Sequence, residues 1–390
     1  MTKFAVVRTD RRQSGDAGAD LSAQITGKLS GDAPDTVILF ASPHYDHHSL
    51  LLTIQNTCHP RTIVGCSTAG EFKNTKDANS SAVAIAILCT ESEIRFTAAM
   101  ARGLQNNRHA AAMELARGMS GNSQPDFRFR AVLLLTDALA GYAEDFVENF
   151  TLATAGQYRL FGGGAGEDAK FSKTFVFCGT EVASDAAVAL EILSKKRLGI
   201  GVSHGWRPVT DPMRVTDASD ATVRSMNFVP AAEVFEELAQ KLSEPFARGQ
   251  PLPFFLHHVI GLKTEEGYKL RVPLSVGNGD SVDCAAEVPV NSTVCLMATS
   301  NGEAAAAAGA AVSSALDQLE GEEPGVALFF DCAATRLRMG SEFGMELAEV
   351  EKRLGGAEFA GCNTYGQIAR AEGQFSGFHN CTAVVCVIPR

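Results

Sequence analysis

Three short glycine-rich stretches carry most of the side chains that could do chemistry. The first, Gly65-Cys66-Ser67-Thr68-Ala69-Gly70-Glu71, places a thiol, two hydroxyls and a carboxylate within seven residues. The second, Gly162-Gly163-Gly164-Ala165-Gly166-Glu167-Asp168, offers backbone amides and two acids. The third, Gly361-Cys362-Asn363-Thr364-Tyr365-Gly366-Gln367, offers a thiol, two amides and a phenol. Glycine lets a chain turn with positive φ or approach another group closely. A ligand held where the three stretches converge would meet Gly65, Cys66, Ser67, Thr68 and Glu71, then Gly163, Gly164 and Asp168, then Asn363, Tyr365 and Gln367. The plainer alternative is three tight turns in a repeated fold. Cys66 is also a candidate nucleophile, because a thiol at a helix N-terminus ionises more easily. Packing is the competing role, and the matching residues Cys362 and Gly163 favour it, since a nucleophile need not be duplicated.

Other constellations carry weaker signals. His204, Trp206 and Arg207 put an imidazole, the single Trp and a guanidinium within four residues. They could wall a pocket, with Trp206 stacking and Arg207 gripping a carboxylate, or simply close a strand over a packed Trp. His379 and Asn380, with Arg336 and Tyr365, could hold an anion or the carboxylate of a zwitterion. Turn capping and a satisfied core histidine are the alternatives. Ser42 and Pro43 read as N-cap and first residue of a helix, which would put His44 and His48 four apart on one face. No carboxylate stands at metal-ligand spacing, so no metal site is expected and an exposed first turn is the plain reading. The GxGxxG and GxxxxGK[ST] phosphate motifs are absent.

The elements that would position these groups form a repeat. An apolar strand, a helix, a glycine stretch and a closing strand recur three times, opening at Thr36, Ala131 and Val326. The closing strands are expected at 82–88, 174–177 and 382–388. Strands covered on both faces read as continuous apolar runs, as these do. Ala231 to Leu242 and Glu303 to Leu319 read as helices. The expected class is α/β, two domains with mixed, helix-covered sheets, with a four-layer sandwich possible. Residues 1–30 read as a strand and linker, 31–220 as the first domain and 221–390 as the second.

The 390 residues are 45% hydrophobic and 20% charged, with net charge −11. An acidic chain without a basic run is a poor partner for nucleic acid. The first residues lack a secretory pattern and no apolar stretch reaches membrane-spanning length, so no membrane association is expected. Ten cysteines, none in a CxxC pair, look like free thiols of a reducing compartment, and a cytoplasmic location is expected.

Several motifs in order resemble the FIST family. Residues 63–71 resemble its N-terminal domain signature, residues 161–168 that domain's second glycine turn, and Ser203 to Pro208 with Val215 and Thr216 its end. Residues 331–336, 361–366 and 378–382 resemble its C-terminal domain. The likeness covers about residues 30 to 388. It implies a sensory, signal-transducing module that is not an enzyme and binds a small ligand, for which amino acids or other carboxylates have been proposed. No signalling output domain is recognisable, so output would pass through a separate partner. One branch of the family binds haem and reports nitric oxide to a histidine kinase; His44, His204 or His379 would then be the haem ligand. Where the family has Tyr-Gly-Glu, this chain has Tyr365-Gly366-Gln367, which removes a carboxylate.

Overall fold

The computed structural model describes residues 2–90, 92–371 and 376–390, with the side chain of Asn122 left aside. The apolar runs become central strands. β2 (Thr36–Ala41) is buried along its whole length, as are all but the first two residues of β8 (Phe129–Asp137) and all but the first of β23 (Pro324–Cys332). Each is the hub of one unit of a threefold repeat.

The first unit holds β1 (Lys3–Thr9), α1 (Ser14–Lys28), β2, α2 (His47–Cys58), β3 (Thr62–Ser67), a hairpin β4 (Glu71–Lys73) and β5 (Lys76–Ala78), and β6 (Ala82–Leu88). The second holds β7 (Ile94–Arg102), α3 (Leu104–Arg117), β8, α4 (Ala143–Ala153), β9 (Arg159–Ala165), a hairpin β10 (Val176–Cys178) and β11 (Glu181–Ala183), and β12 (Ala186–Ser194). The third opens with β13 (Gly199–Ser203). After an insertion it continues with α7 (Asn301–Asp317), β23, α8 (Ala333–Met339), α9 (Gly344–Leu354) and β24 (Glu358–Thr364). A hairpin β25 (Gln367–Arg370) and β26 (Gly377–His379), then β27 (Ala383–Pro389), complete it. The strand orders β1-β6-β2-β3, β7-β12-β8-β9 and β13-β27-β23-β24 are the same. The hairpins are exchanged cyclically. β10-β11 extends the first sheet, β25-β26 the second and β4-β5 the third.

Each sheet carries its helices on one face. The other faces meet in one apolar core that includes Ile38 and Phe40 of the first unit, Leu133 and Phe161 of the second, and Leu328 and Phe330 of the third. The three units therefore form a prism around a solid axis.

The insertion between β13 and α7 is a nine-stranded antiparallel sheet. It contains β14 (Arg207–Pro208), β15 (Met213–Ser219), β16 (Thr222–Met226), β17 (Val229–Pro230), α5 (Ala231–Leu242) and α6 (Leu252–Phe255). β18 (His258–Thr264), β19 (Gly267–Arg271), β20 (Pro273–Val276), β21 (Val282–Cys284) and β22 (Thr293–Ala298) follow. α5 packs Val234, Phe235 and Leu238 into this sheet's own core. Position 220 is the turn between β15 and β16.

The α/β class and the helices at 231–242 and near 303–319 are as expected, and three details differ. The glycine stretches open as strand and only then turn: Gly65, Gly162 and Gly361 lie inside β3, β9 and β24, whereas Gly70 and Gly366, with φ of 147° and 97°, lie in the turns that follow β3 and β24. A Cβ at Gly65, Gly162 and Gly361 would sit 1.9, 2.1 and 1.7 Å from the carbonyl oxygens of Leu39, Leu134 and Phe329. These three glycines are required because neighbouring parallel strands touch there, not because the chain reverses. Second, residues 174–177 belong to the exchanged hairpin, and β12 closes the second unit. Third, α2 starts at His47, capped by the Asp46 carboxylate, which accepts the Ser49 amide at 3.3 Å. His44 precedes the helix, so the His44–His48 pair on one face does not form.

Candidate functional site

The three strand ends that carry the glycine stretches do converge, and backbone stitches them directly together. The Gly166 amide donates to Ser67 O at 2.9 Å, the Ala69 amide to Asn363 O at 3.0 Å and the Tyr365 amide to Gly164 O at 3.0 Å. The Asn363 amide returns a bond to Gly70 O at 2.8 Å. Cys66 and Cys362 lie side by side on the axis, both 0 % exposed, and Gly163 takes the third equivalent place. The expected shared hollow is thus replaced by packed core. Burial pushes the Cys362 thiol far up, and Cys66 is sealed from any substrate.

The polar residues of these stretches serve the joints. Ser67 Oγ donates to Gly166 O at 2.9 Å and accepts the Phe175 amide at 2.9 Å. Glu71 is fully buried and receives hydrogen bonds from the Thr68 hydroxyl and from Ser81 Oγ, the latter at 3.0 Å. Burial raises its pKa to about 7 despite those donors. Gln367, at the equivalent place in the third unit, donates to Thr364 Oγ1 at 2.8 Å and accepts the Thr382 amide at 3.3 Å. Asp168 is exposed on a loop.

The remaining candidates scatter. Arg336 donates to Asn363 Oδ1 at 3.1 Å and pairs with Asp77 at 2.8 Å. Arg207 is exposed and pairs with Glu303 at 3.1 Å. Trp206 is buried in a cluster that joins the inserted sheet to the third unit. His204 meets Tyr268 O at 2.9 Å and the Trp206 amide at 3.3 Å. His379 is buried, and burial together with Lys269 and Arg271 holds its pKa far below the usual range. His44 lies against Tyr45 with ring centres 3.8 Å apart and planes tilted by 40°.

A cavity of about 190 Å³ does exist, off the axis, where the inserted sheet covers the carboxyl ends of the prism strands. The inserted sheet contributes Leu252, Leu256, Leu274 and Cys284. The second unit contributes Leu139 and Phe171. The third contributes Cys332, Ala334, Leu337, Thr364, Tyr365 and Asn380. Of the residues expected from sequence to bind ligand, only Tyr365 and Asn380 reach it. No charged side chain lines it among the described residues. Phe171 and Leu337 are 50% and 51% exposed, so two large apolar groups are left to solvent beside the cavity. The Phe171 and Tyr365 rings stack with centres 4.9 Å apart. The Tyr365 hydroxyl is held by the Glu167 carboxylate and by the Ala169 amide at 3.1 Å.

The insertion is fastened to the prism by polar contacts next to this cavity. Arg271 is 3% exposed and pairs with Glu144 of α4 at 3.0 Å, while Lys269 pairs with the same carboxylate at 2.8 Å. Arg271 also donates to Phe378 O at 3.1 Å, and Asn380 Oδ1 accepts the Val272 amide at 3.3 Å. Two of the larger hollows have different characters. One of about 730 Å³ is a shallow groove on the outer face of α7. One of about 540 Å³, at the amino ends of β8 and β9, is bordered by Arg128, Arg130, Arg159, Arg197 and Arg370.

Cys332, the residue most suggestive of chemistry at the cavity, was missed by sequence reasoning. The available signal was Asp331-Cys332-Ala333, where a buried strand runs straight into a helix. Leu252, Leu256 and Leu274 carried no signal, because their role depends on how the insertion docks.

Residues 35–228 match the FIST N domain and residues 231–370 the FIST C domain. The chain belongs to the FIST family. FIST domains are sensory domains that bind small ligands, rather than catalytic ones. No curated protein matches this FIST protein by sequence. Among solved structures, cyanuric acid hydrolase from A. caulinodans is similar over 100% of both chains, at 8% identity and a TM-score of 0.40. PurLQS from Thermotoga maritima is similar at 10% identity and a TM-score of 0.24, over 100% of this chain and 73% of that one. Neither likeness is strong enough to carry a functional conclusion. Among the described residues, no helix is long and apolar enough to cross a membrane.

Proposed function

We propose that this FIST protein senses a small, uncharged, mainly apolar molecule bound between the inserted sheet and the prism. The observation that carries this reading is the composition of the cavity wall, drawn from the insertion and from two of the three repeat units. A ligand there touches both sides of a joint, so it favours one seating of the insertion over another, and a separate partner reads the difference. An apolar cavity of about 150 Å³ accepts benzene, so about 190 Å³ suits a molecule slightly larger. Thr364, Tyr365 and Asn380 supply the polar contacts that orient it.

The wall chemistry argues against a free carboxylate, which would lose its water without meeting a cation. Haem does not fit either. No histidine lines the cavity among the described residues, and it is smaller than the roughly 300–1,000 Å³ of sites for drug-sized ligands. Cys66 lies too deep to serve as a nucleophile. A cytoplasmic site of action is part of the proposal, supported by ten cysteines without a disulfide.

The test is a thermal-shift screen of uncharged aromatic and aliphatic alcohols and amides, alongside amino acids and haem. Stabilisation by members of the first group that disappears in Ala334→Phe, which fills the cavity, is the expected result. Shifts given only by amino acids or haem, or shifts that persist in the filled variant, would exclude this seat.

A further inference from the structure

The hollow of about 540 Å³ at the amino ends of β8 and β9 has the volume of an ordinary small-ligand site. Arg128 precedes β8, Arg130 is the second residue of that strand, Arg159 opens β9 and Arg370 closes β25. The strand register brings them to one level. Ala131 lies beside Arg159 across the parallel pair, and Leu160 beside Arg370 across the antiparallel one. Arg197 also borders the hollow but is committed to Glu320 at 2.9 Å. Glu266, exposed on the turn between β18 and β19, is the one carboxylate of the wall among the described residues.

Neutral oxygens hold three of these guanidinium groups in place. Arg130 Nη1 donates to Gln157 Oε1 at 2.6 Å and Arg159 Nη1 to Leu198 O at 2.6 Å. Arg370 Nη1 donates to Gly156 O at 2.7 Å and to Tyr158 O at 2.9 Å. Such bonds fix a guanidinium without cancelling its charge. Arg128 lies over the Phe129 ring, 5.9 Å from its centre. Among the described residues, neither Arg128 nor Arg370 has a carboxylate within ion-pair reach. A chain of net charge −11 thus gathers positive charge in one concave place, where the field is focused on an entering anion.

We propose that this hollow binds a linear chain of two or three phosphates, either inorganic or as the tail of a nucleotide. The guanidinium fork matches phosphate oxygens two at a time, which favours phosphate over a less symmetric anion. The spacing of the strands selects length. Arg130 shares a face of β8 with Val132, and Arg370 shares a face of β25 with Ile368. Both apolar residues belong to the core on the helix side, so the two arginines stand on the same face. β8 and β25 flank β9, which sets their roots about 10 Å apart. A single phosphate is too short to engage both, whereas a chain of two or three reaches from one to the other with Arg128 at the rim. A compact tricarboxylate carries as much charge but lacks that reach. Glu266 opposes any anion in the hollow and limits its affinity.

The test is calorimetric titration of the intact chain with tripolyphosphate, adenosine triphosphate, orthophosphate and citrate, in low-salt buffer without divalent metal. Tripolyphosphate should bind saturably and roughly tenfold tighter than orthophosphate or citrate. Arg128→Gln, which removes an exposed side chain, should weaken it roughly fivefold, and Glu266→Gln should strengthen it roughly twofold. Surface substitutions that move affinity in opposite directions do not do so through misfolding. Adenosine triphosphate binding tighter than tripolyphosphate assigns the hollow to a nucleotide, and equal or weaker binding assigns it to the bare phosphate chain. No saturable binding of either triphosphate, citrate as tight as tripolyphosphate, or affinities unmoved by both substitutions overturns the proposal. The hollow stands apart from the apolar cavity, so Ala334→Phe should leave phosphate binding unchanged and the two readings fail separately.

Discussion

Replacing Glu71 by Gln should change how stability depends on pH, by an amount that follows from the burial of this one carboxyl. Glu71 is 0 % exposed and its folded pKa is raised from 4.5 to about 7. A carboxyl raised in the native state is held protonated there, so the folded chain binds more protons than the unfolded one between these values. Stability is then fully present below the unfolded pKa and falls as pH rises through the folded one. At about 1.4 kcal/mol per pKa unit, the full penalty approaches 3.4 kcal/mol. Roughly 2.5 kcal/mol of it is lost between pH 5 and pH 8. The amide introduced by Glu71→Gln would imitate the protonated acid in shape and hydrogen bonding, and the third unit already has Gln367 at the equivalent position. Thermal melts of both proteins at pH 5, 6.5 and 8 are the assay. The variant should match wild type near pH 5 and exceed it progressively toward pH 8. Asp331, raised to about 6 by burial, tilts both curves the same way and cancels in the comparison. Parallel curves, or a variant weaker at pH 8, would refute the view of Glu71 as a buried acid strained by ionisation.

Gly361→Ala puts a methyl 1.7 Å from the Phe329 carbonyl oxygen, so β23 and β24 must separate and the protein should fail to accumulate in soluble form. Expression followed by size-exclusion chromatography checks this. Glu144→Gln leaves the Arg271 charge 3% exposed without its carboxylate. A fully buried pair broken this way costs roughly 3–5 kcal/mol. Because Glu144 is itself 27% exposed, about 2 kcal/mol is expected. The loss should appear as faster hydrogen exchange in β19 and β20 than in β2. Cys66→Ala should cost about 1–2 kcal/mol in a melt and leave ligand shifts intact, because the residue packs the axis.

The prism was legible in the sequence to the extent that its hubs are apolar on both faces. β2, β8 and β23 announce themselves because neither side of them meets water. The glycine stretches were found, and of the two roles open to them close approach holds at Gly65, Gly162 and Gly361 and positive φ at Gly70 and Gly366. Sequence shows that a Cβ is excluded, not whether a turn or a neighbouring carbonyl excludes it. The hairpin exchange was invisible, since Val176 and Phe177 pair with β3 from more than a hundred residues away. The cavity was hidden for a related reason. Leu274 and Ala334 look like ordinary apolar residues until the insertion folds over the strand ends. Tyr365 and Asn380, singled out in the sequence, line the cavity without the arginines expected beside them, since Arg207 pairs with Glu303 and Arg336 with Asp77.

The most direct test of the central claim is a crystal structure of the full chain with the uncharged compound giving the largest thermal shift. The account predicts density between Leu274 and Ala334, in contact with Thr364 or Asn380. Density instead among Arg128, Arg130 and Arg370 at the opposite end of the prism, with the apolar cavity empty, would contradict it.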